Sequence, residues 1–383
     1  MSISKLNFSN LHSKAGGKLF APSPFIGLDL GMEKLNMVQV DFTSGEPVII
    51  AASSDYHNSS YEALVQQPKL FKALIKRTFK SAGFKGCSVV ATVPSPLLKI
   101  IFLNFQCKTD DIEVQALLNA LKHRVDDDLS DYVIDYLPIN PQTQEQINRV
   151  ALVAMAKHDG IEEYLGLLNY SGLAVEALEI GPVAIKRLVS SLNSSEETQK
   201  VLTLNFGTQK SYLTVIWNNE LLLDREIDFG IDNIINAITK AFDIDSKTAF
   251  KVLHEYGLAE DDIAEGESEE LLLEDELDDG RMTSVLLDVL HPCFVHLSEE
   301  IKDVLVYVAS ETRGGAVEQI YLMGSLSRIS AVDRIIDGLI SIPVQTINPF
   351  FGFSAEEKPT LLNDLGPLSG VAVATGLSMR GKI

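Results

Sequence analysis

The alternation of apolar and polar residues predicts two short β-hairpins, each built around a glycine. Residues 25–41 read FIGLDLGMEKLNMVQVD, with a turn at Gly31 between two strand-like runs. Residues 201–217 read VLTLNFGTQKSYLTVIW and repeat that pattern around Gly207. Matching hairpins about half a chain apart indicate an internal duplication.

The two hairpins align position by position without a gap. Asp29 corresponds to Asn205 and Lys34 corresponds to Lys210, with the turn glycines superimposed. A chance match of two strand–glycine–strand segments is the alternative, so the elements that follow each hairpin decide between the two interpretations.

Similar elements follow both hairpins. After the first, the pattern predicts strands at 47–53 and 88–93 on either side of a helical segment at 61–82. After the second, it predicts a polar turn, a short strand and a helix at 231–242. The apolar residues of that helix recur at helical spacing: Ile231, Ile234, Ile235 and Ile238. Such units build mixed α/β domains in which helices cover a sheet.

A different kind of block interrupts the first half. Strands are predicted at 99–107, 132–137 and 150–156, with a charged helix at 110–127. Together they predict an inserted α+β subdomain, after which a helix at 160–170 returns to the main body.

The second half carries an insertion of its own, predicted to be mainly helical from 249 to 312. A buried strand at 319–323 then leads into a Gly-Ser turn. Helices at 331–339 and 370–380 flank a last strand at 342–348.

These elements predict an α/β fold of two related lobes, each with an inserted subdomain. The predicted division is a flexible basic tail at 1–24, a first core of 25–98 and 157–198, an α+β insertion at 99–156, a second core of 199–248 and 313–383, and a helical insertion with an acidic run at 249–312.

Composition limits the class of protein. The chain has 383 residues, of which 46% are hydrophobic and 22% are charged, which is typical of a globular protein. No apolar stretch is long enough to span a bilayer, and the pattern predicts no secretory signal. Cys87, Cys107 and Cys293 are scattered without metal-ligand spacing, which favours a reducing compartment.

The net charge of -21 argues against general nucleic-acid binding. The segment from Glu255 to Gly280 holds 13 acidic residues and no basic one. It is interpreted either as a solvated loop beside a helix or as a surface for a basic partner. The N-terminal segment carries Lys5, Lys14 and Lys18 among apolar residues, which suits a flexible tail or a weak membrane- or partner-binding segment.

The two glycine turns and a third turn late in the chain have the chemistry to hold a nucleotide. Glycine lets backbone N–H groups approach phosphates because it has no Cβ. An acidic residue beside such a turn, here Asp29, can hold Mg²⁺ through water. The third turn follows a buried strand, where it would support an adenosine. The candidate cofactor-binding residues are Asp29, Gly31, Lys34, Asn205, Gly207, Thr208, Gly324 and Ser325.

The order of these features resembles that of actin-like ATPases, and the place of the first insertion resembles the branch that contains FtsA and PilM. The resemblance to the PilM family of type IV pilus assembly proteins runs from about Phe25 to Gly381. The segments that carry it are VVATVPSPLLKIIFLNF (89–105), DYVIDYLP (131–138), SGLAVEALEIGPVAIKRL (171–188), DREIDFGIDNIINAI (224–238), IYLMGSLSRISAVDRIIDGLISIPVQTINPF (320–350) and GVAVATGLSMRG (370–381).

This resemblance implies a cytoplasmic protein at the inner face of the inner membrane. Members of the family bind the short cytoplasmic N-terminal tail of the inner-membrane protein PilN, in a groove between the first half and its inserted subdomain. They thereby connect the pilus motor to the membrane alignment complex, and many of them bind ATP. A relative serves mannose-sensitive haemagglutinin pili. The similar domain of GspL, from type II secretion, continues into a transmembrane helix. The sequence predicts no such helix here, which favours the stand-alone pilus protein.

The first two turns depart from the family pattern, which implies that the nucleotide site is weak or lost. Met32 and Glu33 stand where the family has Ser or Thr residues, and Glu33 brings a negative charge toward the phosphates. Asn205 stands where the family has Asp, and an amide lacks the charge that attracts Mg²⁺. Lys34 and Lys210 can each contact a phosphate, although exposed turn lysines are the commoner case.

The adenosine side departs further. The family's helix after the second hairpin carries acidic and lysine side chains that contact the nucleoside. The matching stretch, 246–258, has Thr248, Phe250 and Leu253 where such contacts are expected. The third turn has Gly324-Ser325 in place of paired glycines.

One residue is a candidate catalytic group. Glu179 stands where the family has an Asp at the end of the returning strand, so it could orient a water molecule. The alternative is an acid before a helix, stabilised by the helix dipole.

Residues 291–296 read HPCFVH and form a weak candidate metal motif. The spacing of the two histidines does not place both on one helix face. Pro292 is expected to break the start of a helix.

Two functions are therefore compared. The first is a scaffold or adaptor of type IV pilus or related secretion assembly, with a degenerate nucleotide site. The second is a working ATPase or sugar-kinase-like enzyme of the same fold, against which Asn205 argues. A filament-forming actin-like protein is a third possibility.

Overall fold

A computed structural model describes residues 24–57, 59–108, 112–139, 148–192, 200–259, 274–355 and 368–381. The predicted basic tail, apart from residue 24, lies outside the described residues. So do residues 260–273 of the acidic run.

The strands and helices follow the predicted order. The strands are β1 (Ile26–Leu30), β2 (Lys34–Asp41), β3 (Val48–Tyr56), β4 (Ser88–Thr92), β5 (Leu98–Gln106), β6 (Tyr132–Ile139), β7 (Asn148–Lys157), β8 (Ala174–Glu179), β9 (Val201–Phe206), β10 (Ser211–Trp217), β11 (Glu220–Ile227), β12 (Gln319–Gly324), β13 (Val344–Thr346) and β14 (Ser354–Ala355). The helices are α1 (Tyr61–Gln66), α2 (Pro68–Ala82), α3 (Glu113–Lys122), α4 (His158–Tyr170), α5 (Gly181–Leu192), α6 (Ile231–Phe242), α7 (Ser246–Tyr256), α8 (Glu274–Glu311), α9 (Val332–Leu339) and α10 (Ala372–Ser378).

The chain divides into two compact units. One comprises Met1–Gln199, Thr214–Asp224 and Asn348–Ile383, and the other comprises Lys200–Leu213 and Arg225–Ile347.

The first unit is built on a mixed sheet with the strand order β14-β3-β2-β1-β4-β8. β1 pairs antiparallel with β2 and parallel with β4. Alternate residues of β1 point to opposite faces of the sheet. Leu28 therefore packs with Phe71 of α2 and Tyr164 of α4 in one apolar core. Gly27 faces the other side, toward α10.

The inserted block forms a separate antiparallel sheet with the order β5-β7-β6. Leu103 and Phe105 of β5 pack against Leu117 and Leu121 of α3 in a small core of their own. Helix α3 begins at Glu113 and ends at Lys122, so it is shorter than the predicted span of 110–127.

The second sheet has the strand order β11-β10-β9-β12-β13, with β12 parallel to both β9 and β13. The predicted helical spacing of α6 is confirmed, because Ile231, Ile234, Ile235 and Ile238 are all buried. The long helix α8 accompanies this unit and buries apolar residues along its length, among them Leu290 and Phe294.

Helix α8 corrects one expectation. Pro292 was expected to break a helix start, yet it lies inside the continuous span Glu274–Glu311. Proline lacks a backbone N–H and its ring crowds the preceding turn, but the buried Leu290 and Phe294 on either side hold the helix in place. The predicted helix at 61–82 is also divided, since α1 ends at Gln66 and Pro68 begins α2.

The C-terminal residues lie elsewhere than the sequence suggested. Residues 313–383 were expected to complete the second core, but Asn348–Ile383 belongs to the first unit. The reason is the small side chains of α10, which let its backbone approach other backbones closely. A Cβ on Gly376 would lie 2.0 Å from the carbonyl oxygen of Ala184 in α5.

The two hairpins share one turn geometry. The Gly31 N–H donates to the carbonyl of Lys34 at 2.9 Å, and the Gly207 N–H donates to the carbonyl of Lys210 at 3.1 Å. The same hydrogen bond at aligned positions supports the internal duplication proposed from sequence.

We predict that Gly27→Ala destabilises the first unit. A Cβ at this position would lie 1.9 Å from the carbonyl oxygen of Ala374, a backbone atom of α10 that cannot rotate away. The free energy of unfolding should fall by about 2–3 kcal/mol, as expected for overpacking. Denaturant unfolding followed by circular dichroism measures this change.

Gly166→Ala is the matched control. Gly166 lies exposed within α4, and a Cβ added there would meet no other atom within 4 Å. The same replacement should there raise stability by up to about 1 kcal/mol, because alanine is the better helix former. Equal effects of the two replacements would contradict the close approach at Gly27.

Candidate functional site

The first turn is held by the end of β3. The backbone N–H of His57 donates to the carbonyl of Glu33 at 3.0 Å. The His57 ring nitrogen Nε2 lies 2.9 Å from the carbonyl oxygen of Gly31. Since a carbonyl only accepts, Nε2 carries the proton. His57 therefore fixes the turn at both ends, and nothing in the sequence pattern singled it out.

Lys34, a candidate phosphate contact, lies over an aromatic ring. Its ammonium nitrogen is 4.1 Å from the centre of the Tyr56 ring, a cation–π contact. Tyr56 is itself 48% exposed, so the pair lies at the surface. Glu33 and Met32 are exposed beside it.

Asp29, the candidate Mg²⁺ ligand, is engaged within the first unit. Its carboxylate accepts hydrogen bonds from Asn36 Nδ2 at 3.2 Å and from Thr92 Oγ1 at 3.0 Å. Burial raises the pKa of Asp29 above its ordinary value of 3.8, and the two hydrogen bonds lower it in part. The ionised carboxylate of Asp29 therefore lowers the stability of the folded state.

The second turn caps a helix. Backbone N–H groups of Ile231 and Asp232, at the start of α6, donate to the carbonyls of Gly207 and Thr208 at 3.1 and 2.9 Å. The first N–H groups of a helix are the ones that would otherwise bind an anion. Here the turn's own carbonyls satisfy two of them. Gly230 permits this contact, because a Cβ there would lie 2.3 Å from the Thr208 carbonyl oxygen.

Lys210, at the end of the second turn, is paired with acidic residues. Its ammonium group forms a salt bridge with Glu226 and lies 3.8 Å from Asp228. Tyr212 donates its hydroxyl proton to the other oxygen of Glu226 at 3.1 Å. The hydrogen bond and the charge of Glu226 raise the pKa of Lys210.

The second and third turns meet within the second unit. Gly324 has φ of +87°, and a Cβ there would lie 2.2 Å from the Phe206 carbonyl oxygen and 2.7 Å from Asn205 Oδ1. Ser325 Oγ lies 3.1 Å from the Phe206 carbonyl oxygen and 3.0 Å from that of Gly207. The structure thus brings Asn205, Gly207, Gly324 and Ser325 together, whereas Asp29, Gly31 and Lys34 share the first unit.

Glu179 lies at the end of β8 in a cluster of opposite charge. Arg187 binds both its carboxylate oxygens, at 3.0 and 3.1 Å, and Arg380 forms a further salt bridge. Arg187 also donates to the carbonyl of Gly376 at 2.7 Å. A carboxylate so engaged ties α5 and the C-terminal residues to the sheet. This geometry favours a structural role over the orientation of a water molecule.

The stretch expected to contact a nucleoside, residues 246–258, makes contacts within the protein instead. Thr248 donates its hydroxyl to Asp245 Oδ2 at 2.7 Å and so helps to cap α7. Leu253 is fully buried. The rings of Phe250 and His254 stack with centres 4.0 Å apart.

Two features are absent from the described ranges, a cluster of metal-ligating side chains and a membrane-spanning helix. Within them, no group of three or more His, Cys, Asp or Glu side chains is arranged to hold a metal ion, and this includes the HPCFVH segment. None of the helices in the described part of the chain has the length and apolarity to cross a bilayer.

The inserted sheet has two unlike faces. One face carries Leu103 and Phe105 and is covered by α3. On the other, Ile100 and Phe102 of β5 are only half-buried, next to Ala154 and Leu152 of β7. The two β7 side chains are buried, so the accessible apolar strip on this face lies along β5.

Comparison with known proteins gives a family and a fold. The model of the family described as type IV pilus assembly protein PilM matches residues 27–382. A solved PilM–PilN type IV pilus biogenesis complex contains a chain that is 19% identical, with a TM-score of 0.70, covering 94% of this chain and 98% of that one. The ethanolamine utilization protein EutJ from Carboxydothermus hydrogenoformans is 11% identical, with a TM-score of 0.53, covering 95% and 92%. These similarities confirm the predicted actin-like α/β fold.

We predict that Asp29→Asn stabilises the protein at neutral pH. A carboxyl whose pKa is raised by folding stabilises the fold only while protonated, below its ordinary value of 3.8, and this contribution is lost as the pH rises through the raised pKa. Asparagine does not ionise, and Thr92 can reverse its hydroxyl to accept from the amide. Thermal unfolding of both proteins between about pH 4 and pH 7 measures the difference.

The stability difference in favour of Asp29→Asn should grow with pH across that window. Asp126→Asn is the control, since Asp126 is exposed on the inserted block and should give no such trend. A variant that is less stable than the wild type at neutral pH would contradict the burial cost at Asp29.

Proposed function

Because the chain belongs to the PilM family of type IV pilus assembly proteins, we propose that it is a cytoplasmic adaptor of pilus assembly. In this proposal it binds the N-terminal tail of a PilN-like protein at the inner face of the inner membrane and connects that protein to components of the pilus motor or alignment complex. The similarity to a chain of a PilM–PilN complex supports a partner of this kind.

The observation that carries the proposal is the partly accessible apolar strip along β5, an edge strand of the inserted sheet. Alternation along β5 sends Leu103 and Phe105 into the core under α3 and sends Ile100 and Phe102 to the opposite face. The latter two stay half-buried beside the small Ala154. An extended peptide with alternating apolar residues is the ligand that such a strip suits.

Most hydrogen-bond donors and charged groups of the three turns already contact other parts of the protein, so few remain for a nucleotide. The residues that would hold ATP with Mg²⁺ are those named from sequence, from Asp29 to Ser325, and the nucleotide would supply them with phosphate oxygens as ligands. Their donors and charges are largely taken by the protein, as with Lys210 on Glu226 and Ser325 on the neighbouring carbonyls. We therefore propose weak or absent nucleotide binding and no catalytic role for Glu179.

An active ATPase is the second candidate. It would need an acid at the second turn, where Asn205 provides an amide, and a free carboxylate to orient water. Glu179 is instead bound by Arg187 and Arg380. The contacts thus favour the adaptor.

We predict that Ile100→Asp weakens binding of a PilN-like tail peptide by at least about tenfold. Burying a carboxylate in an apolar strip costs several kcal/mol unless it finds a partner. The side chain is partly exposed in the free protein, so the fold should tolerate the change. Calorimetric titration of the purified variant with the peptide measures the loss.

Asn119→Asp provides the control, because it adds the same charge at an exposed position of α3, on the covered side of the sheet. It should leave the affinity unchanged. Wild-type affinity in the Ile100→Asp protein would rule out this face as the docking site.

A further inference from the structure

We infer that the second turn contains its own counter-anion, the carboxylate of Glu226, which competes with phosphate groups for Lys210. This inference rests on the proposed weak nucleotide site and adds a cause for its weakness. The ligand class concerned is a polyphosphate, either free or as part of a nucleotide.

The position of Lys210 is the first step. It is the last residue of the turn that begins at Gly207, whose N–H donates to the Lys210 carbonyl. A phosphate lying against this turn would therefore have the Lys210 ammonium group as the nearest cation supplied by the turn itself.

The position of Glu226 is the second step. It lies on β11, beside β10, and its side chain reaches the end of the turn. One carboxylate oxygen bonds Lys210, and the other accepts the Tyr212 hydroxyl at 3.1 Å. Tyr212 thus orients the carboxylate toward the ammonium group rather than into solvent.

A second acid strengthens the effect. Asp228 is 93% exposed, and its carboxylate lies 3.8 Å from the same ammonium nitrogen. Two carboxylates against one lysine leave the turn with a net negative charge, which repels a polyphosphate. The surrounding water screens each pair, so the inhibition is modest and can be relieved by a single substitution.

Glu226→Gln tests the inference. Glutamine keeps the size of the side chain and can still accept from Tyr212, but it no longer neutralises Lys210. At low ionic strength, tripolyphosphate and MgATP titrated by calorimetry should each bind about five- to tenfold tighter to this variant than to the wild type. High salt should reduce the gain.

Two further variants separate this local effect from a change in net charge. Glu220→Gln removes the same charge from the same strand, where Glu220 is 63% exposed and pairs with Lys186 instead. It should leave polyphosphate binding at the wild-type level. The double variant Glu226→Gln with Lys210→Gln should lose the gain.

The inference is overturned if Glu226→Gln binds no tighter than the wild type, if Glu220→Gln gains equally, or if no variant binds polyphosphate at millimolar concentration. Titration with the PilN-like tail peptide is run on the same proteins. If the wild type does not bind the peptide but Glu226→Gln binds polyphosphate more tightly, the adaptor is contradicted and this inference stands. If the wild type binds the peptide but Glu226→Gln binds polyphosphate no more tightly, the adaptor stands and this inference is contradicted.

Discussion

The structure depends on places where two stretches of backbone lie closer together than any side chain would permit. β1, at the centre of the first sheet, accepts α10 directly because residue 27 is a glycine, with a hypothetical Cβ only 1.9 Å from the Ala374 carbonyl oxygen. α10 in turn meets α5 at Gly376. In the second unit, Gly324 lets β12 end against the Phe206 carbonyl. The contact at Gly324 brings the second and third turns together.

The turns so placed are satisfied by the protein itself. Phosphate-binding turns owe their affinity to backbone N–H groups and cations that lack other partners. Here two N–H groups of α6 are capped by turn carbonyls, Lys34 lies on Tyr56, and Lys210 is paired with Glu226. Turns with these internal contacts leave few groups for a nucleotide, which is the basis of the proposed weak binding. This agrees with a role in which the fold presents a surface to a partner.

Local patterns were sufficient to predict most of the fold. The periodicity of Ile231 to Ile238, the strand at 99–107 and the two glycine hairpins each depend on nearby residues, and the structure confirms them. Contacts between distant residues were not predictable in the same way. The return of α10 to β1, the contact of His57 with the first turn and the pairing of Glu179 with Arg380 join residues far apart in the chain. The expectation at Pro292 was wrong, because tertiary packing of α8 outweighs the missing hydrogen bond and the crowding by the proline ring.

The proposed adaptor binds the PilN-like tail without needing a nucleotide. The most direct test titrates the purified wild-type protein with a PilN-like tail peptide, once in nucleotide-free buffer and once in millimolar MgATP. The account predicts the same dissociation constant in both conditions. Binding that occurs only with MgATP, or no binding in either condition, would contradict it.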